Sequence, residues 1–146
     1  MITKFSTNQP DVSKQYLQRP GAYAIIKNQD GLIAIVKTKT GYFLPGGGIE
    51  KNETAEECLR RECFEEIGAE ISITNFFAEG NYYFHSTTLN IDMESIGYFF
   101  NCKIIKYKKT NIEDGHELLW MDTKTAIELM YLANQKEAIK IFCQTN

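Results

Sequence analysis

The stretch of sequence that decides the fold runs from Gly47 to Ala69 and reads GGIEKNETAEECLRRECFEEIGA. It begins in a glycine-rich loop and continues with the apolar spacing of a helix. Thr54 and Glu57 stand at the spacing of a capping box, in which each side chain bonds the other residue's backbone amide. Gly68 is the residue type that commonly ends a helix. The pattern therefore predicts one helix over Ala55–Ile67.

Three carboxylates share one face of this predicted helix. Glu62, Glu65 and Glu66 stand at positions i, i+3 and i+4, where like charges repel by roughly 0.2–0.5 kcal/mol per pair. They also lie near the helix C-terminus, where the macrodipole favours cations. A run of charge alone is usually a solvated surface. Sequences break local rules mostly at functional sites, however, and three converging carboxylates suit a hard divalent cation such as Mg²⁺.

The spacing of the fixed residues resembles the signature box of the Nudix hydrolase superfamily. All seven fixed letters are present: Gly, five residues, Glu, seven residues, Arg-Glu, two residues, Glu-Glu, one residue and Gly. Two positions that usually hold bulky aliphatic residues are Cys63 and Ala69 here, which is a mild departure. The resemblance implies an α/β fold, in which an α/β/α sandwich surrounds a mixed sheet and the box forms a loop–helix–loop.

The resemblance also implies roles for individual residues. The implied ligands of Mg²⁺ or Mn²⁺ are three side chains and one backbone carbonyl: Glu62, Glu65, Glu66 and Gly47. Glu62 and Glu66 are the first candidates within the box for the catalytic base. Glu53 and Arg61 would pair and brace the loop against the helix, which fixes the angle of the metal ligands. The reaction implied is hydrolysis of a pyrophosphate bond, because bound cations neutralise the diphosphate and lower the pKa of the attacking water.

Outside the box, an acidic loop over residues 111–117 could supply a further metal ligand or the base. Its carboxylates are Glu113, Asp114 and Glu117, of which the first two are favoured. The alternative is a plain polar turn with Gly115 near its tip. His116 in this loop is either a phosphate contact or a surface residue without a role, and His85 is expected on a solvent-facing strand.

The substrate implied by the resemblance is a small nucleotide, a nucleoside diphosphate linked to another group. Most aromatic residues are expected in the core, but one or two could stack on a nucleobase. The aromatic candidates are Tyr82, Tyr83 and Trp120, and Arg19 is a candidate for a substrate phosphate. No subgroup signature outside the box identifies the nucleoside or the linked group.

Strand and helix patterns continue on both sides of the box. Strands are predicted at Ala22–Lys27, Leu32–Lys37, Ala69–Ala78, Tyr82–Ser86, Ile96–Lys106 and Leu118–Met121. The turn 28–31 joins the first two strands. Two helices are predicted near the end, at Thr123–Leu132 and at Lys136–Cys143 with Asn134 as its N-cap. This order of elements is typical of a mixed sheet covered by helices.

Length and composition limit the function classes. A chain of 146 residues predicts a single domain, with residues 1–20 as a polar N-terminal arm that could reach the pocket of a second subunit in a homodimer. The net charge of −3 argues against duplex nucleic acid as a partner, because that partner needs a basic face. Apolar runs fall short of the ~20 residues of a membrane helix, and the first residues lack an apolar signal region. The four cysteines form no CxxC pair, which favours reduced thiols in a cytoplasmic protein.

Three functions follow from these patterns. The favoured one is a metal-dependent nucleotide pyrophosphohydrolase, because all the fixed letters of the box are present. The first alternative is a catalytically silent nucleotide-binding sensor on the same fold, and the second is an acidic scaffold without a ligand. Metal-dependent turnover separates the enzyme from the sensor, and an effect of Mg²⁺ on thermal stability excludes the scaffold.

Overall fold

A computed structural model of the protein describes residues 1–108, 112 and 114–145. Within these residues the chain forms eight strands and three helices. In chain order they are β1 (Thr3–Ser6), β2 (Leu17–Ile26), β3 (Ile33–Lys37), β4 (Tyr42–Phe43), β5 (Gly46–Gly48), α1 (Ala55–Ile67), β6 (Ala69–Ser86), β7 (Ile91–Tyr107), β8 (Glu117–Met121), α2 (Thr123–Leu129) and α3 (Ala133–Thr145).

Two sheets form the centre of the fold. The larger has the strand order β1-β6-β7-β2-β5 and is mixed, since β1 runs parallel to β6 and β2 parallel to β7, while the other pairs are antiparallel. The smaller sheet has the order β4-β3-β8 and is antiparallel. The predicted α/β fold with a mixed sheet is confirmed.

Helices cover the sheets from two sides, and each side has its own apolar cluster. The stripe of Leu59, Cys63 and Ile67 on α1 is buried against strand residues such as Ala22 and Phe100. The second cluster packs α2 and α3 against the sheets through residues that include Ala126, Ile139, Phe142 and Phe99. Burial of the α1 stripe holds this helix in a fixed rotation, so that Glu62 and Glu66 are turned towards β5. No helix in the described part of the chain has the length and apolarity of a membrane span.

Helix α1 has the predicted bounds, and the predicted caps are in place. The Glu57 amide donates to Thr54 Oγ1 at 3.1 Å, and the Thr54 amide donates to the Glu57 carboxylate at 2.9 Å. Gly68 follows the helix in the left-handed conformation, with φ of 67°. These contacts are local in sequence, which is why the sequence predicts this helix so closely.

The strands of the larger sheet are longer than predicted. β6 is one strand over Ala69–Ser86, and its register against β7 shifts at three places between residues 70 and 78. Such bulges break the alternation of apolar and polar residues, and this hides a continuous strand from the sequence pattern. β2 begins at Leu17 rather than Ala22, and Thr3–Ser6 of the predicted N-terminal arm pairs with β6 of its own chain.

Two predictions near the C-terminus are wrong in detail. The helix expected over Thr123–Leu132 ends at Leu129, where the backbone of Met130 leaves the helical region. Asn134 is not the N-cap of the last helix, because α3 begins at Ala133 and encloses it. The Asn134 side chain is fully buried and is used in contacts with the sheet instead. Only the tertiary packing reveals this use.

Candidate active site

The glycine loop and the acidic face of α1 are in direct contact. A Cβ added to Gly47 would lie 2.6 Å from Cδ of Glu62, so any other residue there would displace that carboxylate. The Gly46 amide donates to Glu66 Oε1 at 2.8 Å, and the Glu66 side chain is buried. Two carboxylates one turn apart on α1 therefore contact two consecutive residues of β5. The third, Glu65, is about half exposed and extends towards Arg61.

Arg61 ties this arrangement to the loop that leads into α1. Its Nε and Nη2 donate to the two carboxylate oxygens of Glu53 at 2.7 and 3.0 Å, a bidentate pair. Its Nη1 donates to Glu62 Oε1 at 2.7 Å, and Nη2 also reaches the Gly48 carbonyl at 3.2 Å. The hydrogen bond from Arg61 lowers the pKa of Glu53 to about 2, and the same bond raises the pKa of Arg61 above its ordinary value. The Arg61 guanidinium is thus shared between Glu53 in the loop and Glu62 on the helix.

A buried thiol supports the same loop from the helix side. Cys58 Sγ lies 3.4 Å from the carbonyl oxygens of both Gly47 and Gly48, at donor distance for sulfur. Burial raises the pKa of Cys58 to about 11, so the group stays a neutral donor near neutral pH. In the sequence, the cysteines read only as small apolar fillers. Nothing in the sequence around Cys58 indicates that its thiol contacts the loop carbonyls.

A cavity of about 420 Å³ opens beside the glycine loop. Gly48 and Arg19 lie at its end nearest the box. Aromatic side chains from three separate segments contribute to its walls: Phe43, Phe84 and Tyr131. Ser95, on β7, is a buried polar residue of the lining. The cavity thus combines a cation near the box with aromatic walls and a buried hydroxyl farther along.

The chain matches the family profile described as the NUDIX domain over residues 17–142. It belongs to the Nudix family. The protein is therefore a Nudix hydrolase, an enzyme that acts on pyrophosphate bonds. No curated protein matches the sequence at a significant level.

Solved structures share the fold at low sequence identity. A NUDIX hydrolase from Nitrosomonas europaea superposes with a TM-score of 0.72 and 14% identity, over 88% of this chain and 90% of that one. A MutT protein from Methanosarcina mazei Go1 gives 0.70 and 19%, over 90% and 97% of the two chains. The E. coli dihydroneopterin triphosphate pyrophosphohydrolase gives 0.61 and 16%, over 91% and 100%. At these identities the likeness is one of fold.

Nudix hydrolases generally use divalent metal ions, and the donors around the Nudix glycine loop are of the matching kind. Glu62, Glu66 and the Gly47 carbonyl are all oxygen donors, as Mg²⁺ prefers. In the described residues, no three acidic, histidine or cysteine side chains are grouped closely enough to hold a metal ion. Glu62 accepts a hydrogen bond from Arg61, and Glu66 accepts one from the Gly46 amide. The two carboxylates are therefore bound by different donors. The oxygen donors therefore fit a divalent cation. Arg61, which is bound to Glu62, would compete with that cation for the carboxylate.

Of the four predicted substrate residues, only Arg19 is in the lining of the cavity beside the box. Tyr82 stacks on Phe84, with ring centroids 5.4 Å apart, just outside it. Tyr83 lies on the opposite face of β6, against Tyr16, because successive side chains of a strand alternate. Trp120 lines a different cavity, of about 530 Å³, near the end of β2. Phe43, Phe84 and Tyr131 do line this cavity, although no sequence pattern marks any of them as a substrate contact.

The acidic loop approaches the site through a histidine. His116 Nδ1 lies 3.6 Å from Glu66 Oε2. Of the predicted acids, Glu113 lies outside the described residues, while Asp114 and Glu117 are exposed. His85, expected to face solvent, is largely exposed but also lines the cavity, with its Nδ1 3.0 Å from Asp92 Oδ1.

Proposed function

We propose that this Nudix hydrolase cleaves the pyrophosphate bond of a nucleoside diphosphate linked to another group, and that it uses Mg²⁺ or Mn²⁺. One observation carries the proposal: the carboxylates of the box and the aromatic cavity meet at the same glycine loop. Gly48 belongs to the cavity lining, and its neighbour Gly47 contacts Glu62. A substrate with its phosphates at this loop would have its base within the cavity.

Each side of the site has a separate task in this proposal. The residues that would hold the cation are Glu62, Glu65, Glu66 and the carbonyl of Gly47. When bound, the cation would neutralise the diphosphate and lower the pKa of a water molecule. Arg61 keeps Glu62 oriented and sets the position of the loop through Glu53. Arg19, at the mouth of the cavity, would bind a phosphate between the box and the base.

The catalytic base is proposed to be Glu62 or Glu66. Glu66 accepts the Gly46 amide on one oxygen, while its other oxygen is directed towards His116. Glu62 has one carboxylate oxygen bound by the guanidinium of Arg61, at 2.7 Å. This difference favours Glu66 as the group that accepts the proton. Because Glu66 is also a proposed metal ligand, its Gln variant should lower metal affinity as well as kcat. At saturating metal it should lose more kcat than Glu65→Gln, which removes a ligand alone.

A substrate panel assayed with and without Mg²⁺ tests the proposal. It would contain normal and oxidised nucleoside triphosphates, ADP-ribose, dinucleoside polyphosphates and capped RNA ends, with product analysis for each. Metal-dependent cleavage of a phosphoanhydride bond in one of them is expected, and it should disappear in Glu66→Gln. Binding of a nucleotide with no turnover under any metal condition would instead identify a silent sensor.

A further inference from the structure

A buried asparagine fixes the direction of a hydrogen bond at the floor of the cavity. Asn134 Nδ2 lies 3.2 Å from the Gly80 carbonyl oxygen and 3.2 Å from Ser95 Oγ, and the residue is fully buried. A backbone carbonyl can only accept a hydrogen bond, so the amide nitrogen must face Gly80. That requirement sets the orientation of the whole amide group. The second amide proton is then donated to Ser95.

This direction leaves the Ser95 hydroxyl with a proton to donate. Ser95 Oγ accepts from Asn134, and within the described residues this is its only side-chain hydrogen bond. Ser95 is 6% exposed, and it belongs to the lining of the cavity. A buried donor without an acceptor is costly, whereas a ligand oxygen in the cavity would satisfy it. The hydroxyl is therefore set up as a donor to whatever fills this part of the cavity.

Strand register separates Ser95 from the glycine loop by the width of two strand spacings. Gly48 on β5 pairs with β2, and on β2 Arg19 pairs with Ser95 of β7. Neighbouring strands lie about 4.8 Å apart, and Gly48 pairs with Gly21, two residues of about 3.3 Å along β2 from Arg19, which puts Ser95 roughly 12 Å from the loop. Arg19 lies between them, with Nη2 3.4 Å from the position of a Cβ on Gly48. A nucleotide with phosphates at the loop would thus present its base, rather than its phosphates, to Ser95.

We infer that Ser95 is a specificity-determining residue whose hydroxyl donates a hydrogen bond to a carbonyl oxygen of the nucleobase. The inference rests on the proposed nucleotide substrate. It selects bases with an oxo group at purine position 6 or pyrimidine position 4, the edge remote from the ribose. An amino group at that position is a donor, so it offers the Ser95 proton no acceptor there. Guanine, hypoxanthine, uracil and thymine fit this requirement, whereas adenine and cytosine do not.

Matched substrates that differ at one group test the assignment. The pairs are guanosine and 6-thioguanosine triphosphates, and uridine and 4-thiouridine triphosphates, each of which exchanges one oxo oxygen for sulfur, a weak acceptor. We expect about tenfold higher kcat/KM for the oxo member of the pair that the enzyme hydrolyses faster. Ser95→Ala should bring the ratio close to one by slowing the oxo member. Ser95→Thr, which keeps the hydroxyl, should retain most of the preference.

Ser72→Ala is the control, because Ser72 lies on β6 opposite Lys103, away from the cavity lining. Melting curves would verify that each variant is folded. If Ser95→Ala does not fold, Ser95→Cys carries the test, because a thiol is only a weak donor and should also bring the ratio close to one. An equal rate for both members in the wild type, or an unchanged ratio in Ser95→Ala, would overturn the inference while leaving the hydrolase function standing. If no nucleotide is hydrolysed, the proposed function fails, and dissociation constants for the same pairs then decide the role of Ser95.

Discussion

Gly47 faces the carboxylate of Glu62 so closely that a methyl group between them would come within 2.6 Å of Glu62 Cδ. The two residues are fifteen positions apart in the sequence, yet any side chain at position 47 would have to displace the Glu62 carboxylate. This contact joins the loop of the box to its helix at the point where the proposed cation binds. It makes the glycine a steric requirement of the site.

Gly47→Ala should therefore lower kcat by at least about tenfold and destabilise the fold by about 1–3 kcal/mol, as overpacking usually does. Gly48→Ala is the matched control, since its Cβ would meet Arg19 Nη2 at an ordinary 3.4 Å. Steady-state kinetics and thermal melts of both variants would measure the difference. Equal effects of the two substitutions would show that the Gly47–Glu62 contact has no special part.

Glu65→Gln and Glu66→Gln should each reduce turnover by orders of magnitude without unfolding the protein. Either change removes one negative charge from the proposed metal ligands and relieves repulsion along α1. Glu66→Gln keeps an oxygen for the Gly46 amide, so its metal-free melting temperature should be unchanged or slightly higher. Mg²⁺ titrations followed by calorimetry and kinetics provide the measurement. Near-normal Mg²⁺-dependent activity in one variant would remove that residue from the ligand set.

Arg61→Ala should lose both stability and activity, because it leaves the carboxylates of Glu53 and Glu62 without their shared cation. Loss of a group that orients metal ligands typically costs about 10–100-fold in metal affinity or activity. Arg60→Ala is the comparison, since Arg60 donates to the Ile71 carbonyl and touches no box carboxylate. If both variants bind Mg²⁺ equally well, Arg61 does not position the ligands.

The Glu53–Arg61 pair also predicts a pH dependence of stability. Arg61 lowers the pKa of Glu53 from 4.5 to about 2 in the folded state, so the pair stabilises the fold fully above pH 4.5. This stabilisation should be lost as the pH falls from 4.5 towards 2, because the unfolded state binds the proton first. Melting temperatures of wild type and Glu53→Gln should therefore converge across this window. A constant difference between the two proteins would contradict the lowered pKa.

Prediction from sequence succeeds where the determining contacts are local. The bounds of α1 follow from Thr54, Glu57 and Gly68, which cap the helix through neighbours three or four residues away. The family follows from fixed residues within one short stretch. By contrast, β6 looks like two strands, because its bulges interrupt the alternation that marks a strand. The sequence holds no local signal for such a shift.

The substrate side of the site depends on register and on contacts between distant segments. Tyr82, Tyr83 and Phe84 are all aromatic and look equivalent in the sequence. Phe84 lines the cavity and Tyr83 does not, because their side chains lie on opposite faces of β6. Asn134 reads as an N-cap until α3 is packed on the sheet, where its amide meets Gly80. These positions were predicted incompletely because a side chain's direction is set by its strand partners, which the sequence does not reveal.

Two consecutive residues at the start of α3 serve opposite ends of the site. Asn134 donates to Ser95 at the cavity floor, while Gln135 Oε1 accepts from the Leu44 amide, just before the glycine loop. A displacement of this one helix would therefore disturb both the proposed base contact and the proposed metal site. In laboratory evolution towards a new nucleobase, substitutions in the first turn of α3 that change the base preference should therefore also slow turnover. Substitutions on β7 itself offer a route that separates the two traits.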